Sequence, residues 1–504
     1  MIGDAGGRPT GPASRVFEPA RLRPARKPER VVNLDERSVG RAAAPPASRL
    51  AHPARARALA AACLIALAAP GLAQRKAELE SCGAAGLTPD QRIEICSQAL
   101  QSKGISAQDR AVMLNDRAVA WKAKGDVDRA IADYSQAIEA DPGFANAFDN
   151  RGAAFGSKGD FDSALRDFDR AIELDPKLAR AHRNRALVLQ SRGEVDKAIR
   201  DLDEAIALDP QSAQVYVDRA ELWQRKGDLA KAIADLGDAI RLQPERDKLF
   251  VLRGLLWDRQ HDYVHSIADY DEAIRLNPQS AAAYNNRCNT WLIKEAFAQA
   301  SADCTEALAL DPELAQAHFN RGALWAIAGD HAAAKDEFDK AIRLQPGFAP
   351  AYKARGAVNF YGGRFDAAQA DLEQAARLLR SDPYAAIWLY LAQARAGHAQ
   401  DAARALAQNA GSGPGQGSAA WPAPVIDLYL GRADPGSVFK AAQQGDERTR
   451  NDRQCEAAFY VGEWDLLRGE NGPALRQFEE ADRNCRKSFN ESGGARAELD
   501  RMSR

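Results

Sequence analysis

The chain has 504 residues and a formal net charge of −2 at pH 7. Residues 74–504 alone are more acidic, with a net charge near −9, and they show no basic stripe and no cluster of aromatic residues suited to base stacking. This balance excludes nucleic acid as an expected partner.

Residues 1–57 differ in composition from the rest of the chain. They hold eight of the 24 prolines, and twelve Arg and Lys against five Asp and Glu. No apolar period is visible in this region. The composition predicts a disordered leader.

An uncharged apolar segment, ALAAACLIALAAPGLA, follows at residues 58–73. Arg55 and Arg57 precede it, and small residues close it, which is typical of a secretory signal peptide. We expect cleavage between Ala73 and Gln74, which makes the mature protein periplasmic or secreted. At 16 residues the segment is short for a membrane span.

Alternatives remain open for this segment. Initiation near Leu50 would give a signal peptide of ordinary length, so residues 1–49 need not be translated. A genuine leader followed by an uncleaved inner-membrane anchor is the other possibility. Cys63 permits lipidation, although it lies early in the apolar core rather than at its end.

Seven prolines recur at a spacing of 34 residues, and each ends a short sequence such as AIELDP. They are Pro142, Pro176, Pro210, Pro244, Pro278, Pro312 and Pro346. A fixed period of this length indicates one supersecondary unit copied head to tail. With the proline counted as position 32, eight units cover residues 111–382.

Small and bulky side chains recur at fixed positions of the unit. Position 27 is Ala in all eight units and position 20 is Ala in seven, so two helices can approach closely. Position 15 is Gly in six units, where a helix must stop and turn, while His261 and Glu295 replace it in the fifth and sixth. We expect the bulky residues of position 11 to fill the space beside the alanines. They are Trp121, Phe155, Leu189, Trp223, Trp257, Trp291 and Trp325.

This pattern resembles the tetratricopeptide repeat (TPR), a helix-turn-helix unit of the same length. The resemblance implies an all-α, right-handed superhelical solenoid of antiparallel helix pairs that holds other proteins, with no catalysis and no cofactor. Four regions are predicted beyond the leader and the signal segment. They are an N-terminal helical cap at 74–110, eight TPR units at 111–382, degenerate helical repeats with a loop at 383–454, and a final TPR-like unit with a tail helix at 455–504.

Position 7, commonly Leu in this family, is Arg in every unit, and position 23 is always acidic. In an antiparallel helix pair these positions lie at nearly the same height, so we predict a ladder of Arg-carboxylate pairs. A charged ligand-binding stripe is the alternative. The residues are Arg117, Arg151, Arg185, Arg219, Arg253, Arg287, Arg321 and Arg355, with Asp133, Asp167, Asp201, Asp235, Asp269, Asp303, Glu337 and Asp371.

Six cysteines remain after the predicted cleavage, and the repeat register selects among their fifteen pairings. Two cysteines occupy positions 8 and 24 of one unit, and two others occupy positions 1 and 31 of the last unit. The predicted disulfides are Cys288–Cys304, Cys455–Cys485 and, by elimination, Cys82–Cys96. Such bridges fit an oxidising compartment, whereas small buried thiols are the alternative. Metal binding is disfavoured because no Cys-x-x-Cys spacing occurs.

No catalytic motif is present in the sequence. It lacks a Gly-rich phosphate loop, a Gly-x-Ser-x-Gly and a His-Glu-x-x-His sequence. His261 and His265 are four residues apart, but position 15 is a turn, so the two histidines need not share a helix face. We expect neither an enzyme nor a metal site.

In TPR proteins the first helix of each unit lines a concave groove, and the resemblance places the binding site there. The predicted groove is polar in the middle units and apolar later, which suits a peptide or a partner helix. Its residues are Arg180, Arg183, Glu221, Arg225, Asp258, Arg259, Leu292, Ile293, Ile327, Phe360 and Tyr361. Coverage of the apolar end by the irregular C-terminal region is the alternative.

Three phrases near the C-terminus, WLYLAQAR, WPAPVIDLYLG and FYVGEWDLLRG, resemble the C-terminal half of exported bacterial TPR proteins of the NlpI lipoprotein type. The resemblance implies a periplasmic adaptor that brings cell-envelope hydrolases and a protease together. The lipid-attachment signal of that family is not matched, so a membrane contact is expected only through an uncleaved apolar segment. The alternatives are a membrane-anchored assembly factor and a carrier or sensor of small ligands in the cell envelope. The sequence does not identify the partner, the pathway or the oligomeric state.

Overall fold

The computed structural model describes residues 81–379, 382–410 and 420–504. The predicted leader, signal segment and cleavage site lie outside these residues, as does most of the loop predicted at 411–422. The described residues form 24 helices and divide into two compact units. We call residues 81–244 the N-terminal unit and residues 245–504 the C-terminal unit.

The N-terminal unit consists of one leading helix followed by four antiparallel helix pairs. Its helices are α1 (Pro89–Ala99), α2 (Ala107–Ala123), α3 (Val127–Ala140), α4 (Ala145–Ser157), α5 (Phe161–Leu174), α6 (Ala179–Ser191), α7 (Val195–Leu208), α8 (Ala213–Lys226) and α9 (Leu229–Leu242). Each even-numbered helix pairs with the helix that follows it.

The C-terminal unit continues with five such pairs, then two short helices, one further pair and a last helix. The first ten helices are α10 (Asp247–Arg259), α11 (Tyr263–Leu276), α12 (Ala281–Ile293), α13 (Phe297–Leu310), α14 (Ala315–Ile327), α15 (His331–Leu344), α16 (Ala349–Tyr361), α17 (Phe365–Leu378), α18 (Pro383–Arg395) and α19 (Ala399–Ala410). The last five are α20 (Ala423–Tyr429), α21 (Pro435–Ala442), α22 (Glu447–Leu467), α23 (Asn471–Asn484) and α24 (Asn490–Met502).

A Gly-Asp turn joins the two helices of most pairs. Gly125 ends α2 with a φ of 83°, a left-handed conformation that costs a glycine little. Asp126 then caps α3, because its side chain accepts a hydrogen bond from the backbone N–H of Arg129. His261 and Glu295 adopt the same left-handed conformation, with φ of 62° and 58°. A side chain there costs about 1–3 kcal/mol, so another contact must compensate.

The core of each helix pair is a close contact between position 8 of the first helix and position 24 of the second. A Cβ atom added to Gly152 would lie 2.8 Å from the Phe168 ring. Equivalent contacts join Gly254 to Tyr270, Gly322 to Phe338 and, in the last pair, Gly462 to Phe478. Only a small residue at position 8 admits the ring, which explains why the pairs pack closely.

The position-11 side chains fill this space only in part, since Trp121, Phe155, Trp223 and Trp291 are half-buried and pack against the cores of their helix pairs. Of the seven, only Leu189 is buried, and Trp325 is 43% exposed. Position 11 falls in the last turn of the first helix, where its backbone carbonyl closes the turn, as Trp325 O does for Asp330 N at 2.9 Å. The position-11 ring therefore lies at the edge of the helix pair, where it can contact a cation. The Arg129 guanidinium, for example, lies 4.0 Å from the Trp121 ring centre.

The arginines of position 7 and the acids of position 23 pair in all eight units. In the third unit Arg185 donates from Nε and Nη2 to both oxygens of Asp201, at 2.8 and 2.7 Å. Its Nη1 also donates to Asp169 of the preceding unit at 2.7 Å. The same two-point pairs bind the other arginines to their acids. The ladder thus joins helices within a unit and, at Arg185, across two units.

Replacing Arg185 with Ala is expected to lower the free energy of unfolding by about 1–3 kcal/mol, because the buried Asp201 carboxylate loses its charged partner. Urea unfolding followed by circular dichroism measures the change. Arg170→Ala is the matched control, since Arg170 pairs only with Glu173 at the surface. Unchanged stability of Arg185→Ala, Arg151→Ala and Arg219→Ala would contradict a structural ladder.

Three disulfides join the pairs of cysteines that the repeat register predicts. Cys82–Cys96, Cys288–Cys304 and Cys455–Cys485 have Cα–Cα distances of 4.9, 5.5 and 5.0 Å. Cys288–Cys304 takes the place of the position 8 to position 24 packing contact in its unit. Within the described ranges, none of the helices is long and apolar enough to cross a membrane.

Candidate functional site

The first helices of successive pairs form one face of each unit, which we call the first-helix face. In the N-terminal unit it consists of α2, α4, α6 and α8. The predicted groove residues Arg180 and Arg183 lie on α6, and Glu221 and Arg225 lie on α8. Helices α6 and α8 therefore carry the charged part of this face.

The two predicted groove arginines of α6 are fixed by buried aspartates of neighbouring helices. Arg180 Nε donates to Asp149 of α4 at 2.6 Å, and Asn184 Nδ2 donates to the other oxygen of Asp149 at 2.9 Å. Arg183 Nε donates to Asp218 of α8 at 2.7 Å. Burial raises the pKa of Asp218, whereas Arg183 opposes that rise. Each guanidinium is thus held in one orientation.

Glu221 and Arg225 lie one helical turn apart and are both about half exposed. Arg225 Nη2 donates to Glu221 Oε1 at 2.8 Å. Such an exposed pair adds little stability. Because both side chains are exposed, either can give up this contact and bind a group of a partner protein instead.

The groove residues predicted on α10 have different surroundings. Asp258 is buried, and it accepts hydrogen bonds from Tyr270 Oη at 2.8 Å and from Thr290 Oγ1 at 2.9 Å. Burial raises the pKa of this carboxyl. Arg259 is exposed in the last turn of the helix. Asp258 therefore joins three helices and does not present a charge to solvent.

The apolar groove residues lie beneath residues 486–502, which we call the C-terminal segment. Leu292, Ile293, Phe360 and Tyr361 are buried, and Ile327 is half-buried. The Tyr361 hydroxyl donates to the backbone carbonyl of Asn490 at 2.8 Å, and Arg501 Nη1 donates to the carbonyl of Phe360 at 3.2 Å. The chain itself thus occupies the first-helix face of α12, α14 and α16.

One end of the C-terminal segment is anchored at Glu295, the left-handed residue noted above. Glu295 Oε1 accepts hydrogen bonds from the backbone N–H of Ser488 at 3.1 Å and from its hydroxyl at 2.8 Å. Next to it, Arg486 Nη2 donates to the carbonyl of Ile293 at 2.6 Å. These bonds compensate the backbone strain and explain a glutamate where six other units have glycine.

A buried ion cluster fixes the other end. Arg395 of α18 donates from Nη1 to Glu463 of α22 and to Glu498 of α24, both at 2.9 Å. Arg501 also pairs with Glu498. Glu463 and Glu498 are almost fully buried. Burial raises the pKa of Glu463 to about 8, and the Glu498 charge adds to the rise while Arg395 opposes it.

This raised pKa predicts that stability falls as pH rises. Between the ordinary pKa of a glutamate, near 4.5, and about 8, the folded state keeps a proton on Glu463 that the unfolded state has lost. The free energy of unfolding must then decrease with pH over that window. Glu463→Gln, which mimics the protonated form, should flatten the decrease. Urea titrations at pH 5 and pH 8 test this, and an equal slope in both proteins would contradict it.

The two histidines near the α10–α11 turn do not form a shared site. His261 Nδ1 lies 2.9 Å from the Tyr263 hydroxyl, while His265 Nδ1 lies 2.7 Å from Asp262 Oδ2. Among residues 81–379, 382–410 and 420–504, no cluster of three His, Cys, Asp or Glu side chains could hold a metal ion.

Sequence patterns did not identify the residues that close the C-terminal unit. Arg486 and Ser488 end the last unit and Arg501 lies beyond it, and their acceptors lie more than 100 residues away in the chain. The substitution of Glu295 for glycine was the one visible signal. It marked an irregular turn, but nothing in the sequence named its partner.

Stacked antiparallel helix pairs with a polar first-helix face define a helical-repeat scaffold, a class of protein that typically holds other proteins. Family models for the tetratricopeptide repeat match residues 121–159, 151–217, 217–281 and 295–347. Residues 121–281 and 295–347 are therefore similar to tetratricopeptide repeats, and the predicted all-α fold of antiparallel helix pairs is confirmed. No curated protein matches the chain.

Solved structures of other repeat proteins are similar to parts of the chain. A tetratricopeptide repeat protein from Parabacteroides merdae is 19% identical, with 49% of this chain and 98% of that chain covered and a TM-score of 0.43. The C-terminal part of a TPR protein from Cytophaga hutchinsonii is 16% identical, with coverages of 47% and 97% and a TM-score of 0.41. YrrB, described as a TPR protein with an unusual peptide-binding site, is 24% identical, with coverages of 37% and 97% and a TM-score of 0.32. We draw no functional conclusion from these likenesses.

Proposed function

We propose that this protein is an exported, non-catalytic scaffold that binds a peptide or helix of another protein on the first-helix face of its N-terminal unit. The difference between the two units carries the proposal. In the C-terminal unit the C-terminal segment occupies that face. Within residues 81–244, by contrast, helices pack only against near neighbours in the chain. An uncovered face of this kind is suited to a partner.

The chemistry of the face favours an acidic segment of the partner. Arg180 and Arg183 are already fixed by Asp149 and Asp218, so binding would not have to restrict them further. In the described residues Arg183 donates to protein acceptors only through Nε, which leaves its two terminal nitrogens for a carboxylate. Arg225 can exchange its surface pair with Glu221 for the same purpose.

Export is supported by the three disulfides, which form and persist in oxidising compartments. The apolar segment at 58–73 and the C-terminal likeness to NlpI-type adaptors favour a role in the cell envelope, with hydrolases or proteases as partners. The mass of the mature N-terminus tests this part. A chain beginning at Gln74 supports export after cleavage, whereas an intact apolar segment supports a membrane-anchored assembly factor.

A photoreactive amino acid at Gln190 of α6 tests the binding face itself. Gln190 is half-buried in the last turns of that first helix. We expect crosslinks to a defined segment of an envelope protein, and we expect Arg225→Glu to reduce their yield severalfold. Phe360 and Tyr361 are unsuitable probes because they are buried.

Arg241→Glu is the matched control for this experiment. Arg241 is an exposed arginine at the end of α9, a second helix, and it is paired within its own helix with Asp238. Its replacement should leave the crosslinks unchanged. Equal losses with Arg225→Glu and Arg241→Glu, or crosslinks equally abundant from a photoreactive residue on α9, would exclude the first-helix face as the site.

A further inference from the structure

A cavity of about 380 Å³ lies inside the C-terminal unit, between the helices α14–α16 and the C-terminal segment. Its volume is in the range of small-molecule sites in proteins. The repeat side is apolar, with Ile327, Val358 and Tyr361 in the wall. Phe489 and Ala497 complete the wall from the C-terminal segment. Neither part of the chain forms the cavity without the other.

Basic side chains surround this apolar interior. Lys487, Arg496, Arg501 and Arg504 line the cavity, against one acidic side chain, Asp500. Arg496 and Arg501 each have a carboxylate partner nearby. Lys487 and Arg504 make no hydrogen bond or ion pair with any residue in the described parts of the chain. The rim therefore has an excess of positive charge that the described residues do not neutralise.

His331, the first residue of α15, also lines the cavity. Its ring packs against Tyr361, with ring centres 5.4 Å apart. Its Nδ1 atom is buried and has no hydrogen-bond partner among the described residues. Burial lowers the pKa of this histidine, and the Arg364 charge adds to that effect. A neutral imidazole can give a ligand a hydrogen bond that the protein itself leaves unmade.

We propose that this cavity binds an apolar anion, a small molecule whose hydrocarbon or aromatic body fills the interior and whose single anionic group is held by Lys487 and Arg496. An apolar body is required because water gains few partners along the Ile327, Val358 and Phe489 wall. An anion is required because Lys487 has no counter-charge among the described residues, and because Arg496, which donates from Nε and Nη2 to Asp482, retains Nη1 for an anionic oxygen. The proposal is independent of which protein binds the N-terminal unit.

Calorimetric titration of the full mature chain with dodecanoate, dodecyl phosphate and dodecanol tests the proposal, all below the concentrations at which they form micelles. We expect saturable binding of one molecule of an anion per chain, and binding of dodecanol at least about tenfold weaker. Preference for dodecanoate would identify a carboxylate as the natural group, and preference for dodecyl phosphate would identify a phosphate. Absence of binding by both anions would overturn the proposal.

Variants locate the binding within the chain. Lys487→Gln combined with Arg496→Gln should weaken anion binding about tenfold or more, because both side chains are on the rim. Ala326→Phe should abolish binding by filling the interior. The matched control, Lys440→Gln with Arg432→Gln, removes two exposed charges outside the cavity and should change nothing. Circular dichroism verifies that each variant is folded. Because Ala326→Phe can also impair packing, the decisive result is the anion affinity of the Lys487→Gln, Arg496→Gln variant. Anion binding insensitive to that pair would overturn the proposal.

Discussion

Replacing Arg395 with Met is expected to destabilise the C-terminal unit by about 3–5 kcal/mol. Arg395 is the one cation that contacts both Glu463 and Glu498 in the described residues. Without it, the buried Glu498 carboxylate would keep Arg501 as its charged partner among the described residues, and the buried Glu463 carboxyl would lose its hydrogen bond from Arg395. Removal of one member of a buried charge cluster is costly because the others keep their desolvation penalty. Methionine keeps most of the side-chain volume, so the loss reports on charge.

Equilibrium unfolding in urea at pH 7 measures this change, and Arg404→Met provides the control. Arg404 is an exposed arginine of α19 whose partner, Asp401, lies in the same helix. Its replacement should leave the unfolding midpoint where it is in the original protein. If Arg395→Met were no more destabilising than Arg404→Met, the cluster could not be what fixes α24 against α18 and α22. A gain in stability at pH 5 relative to pH 8 should accompany the loss, because protonated glutamates need no cation.

Removal of the Cys455–Cys485 disulfide, by replacing both cysteines with Ser, is expected to cost about 2–4 kcal/mol. The bond fixes the end of α23 to α22 and closes a loop of 30 residues. Cys485 directly precedes Arg486, the first anchor of the C-terminal segment. We therefore expect a second effect beyond lost stability, namely faster amide hydrogen exchange across residues 486–502 and over the α12 and α16 surface beneath them.

The Cys82–Cys96 bridge supplies the comparison. It joins Cys82 to Cys96 of α1 in the N-terminal unit, so Cys82→Ser with Cys96→Ser should accelerate exchange in and around α1 only. Mass spectrometry of peptides gives both patterns in one experiment. Unchanged exchange in the C-terminal segment after loss of Cys455–Cys485 would show that Glu295 and Arg395 hold the segment without help from the disulfide.

Local features of this fold were predictable from sequence because each is encoded within one repeat. The 34-residue period gave the helix pairs, and the constant spacing of 16 residues between Arg185 and Asp201 placed both at one height of a pair. The same spacing relates Cys288 to Cys304. Helix boundaries followed from Gly and Asp at the turns. These features could be predicted because the residues involved are close in sequence and their positions recur in every unit.

Contacts that bring distant parts of the chain together had no such signal. Glu295 and Ser488 are 193 residues apart, and a hydrogen bond at that distance leaves no local pattern. Phe360 and Tyr361 occupy repeat positions that line the groove in TPR proteins, but here the C-terminal segment covers them. The cavity was equally unpredictable, because its basic rim belongs to residues 487–504 and its apolar wall to α14–α16.

The anchoring of the C-terminal segment also bears on how this protein can change in length during evolution. Repeat arrays gain and lose units readily, because each unit contacts only its neighbours. The C-terminal segment, however, spans a fixed distance between two anchors in the array. Its Ser488 bonds to Glu295 at one end, and its Glu498 bonds to Arg395 at the other. A duplicated unit inserted between Glu295 and Arg395 would move these two anchors apart by the thickness of a helix pair, so the segment could no longer reach both. We expect homologues to vary in repeat number within 111–244 and to keep a constant number between 295 and 395.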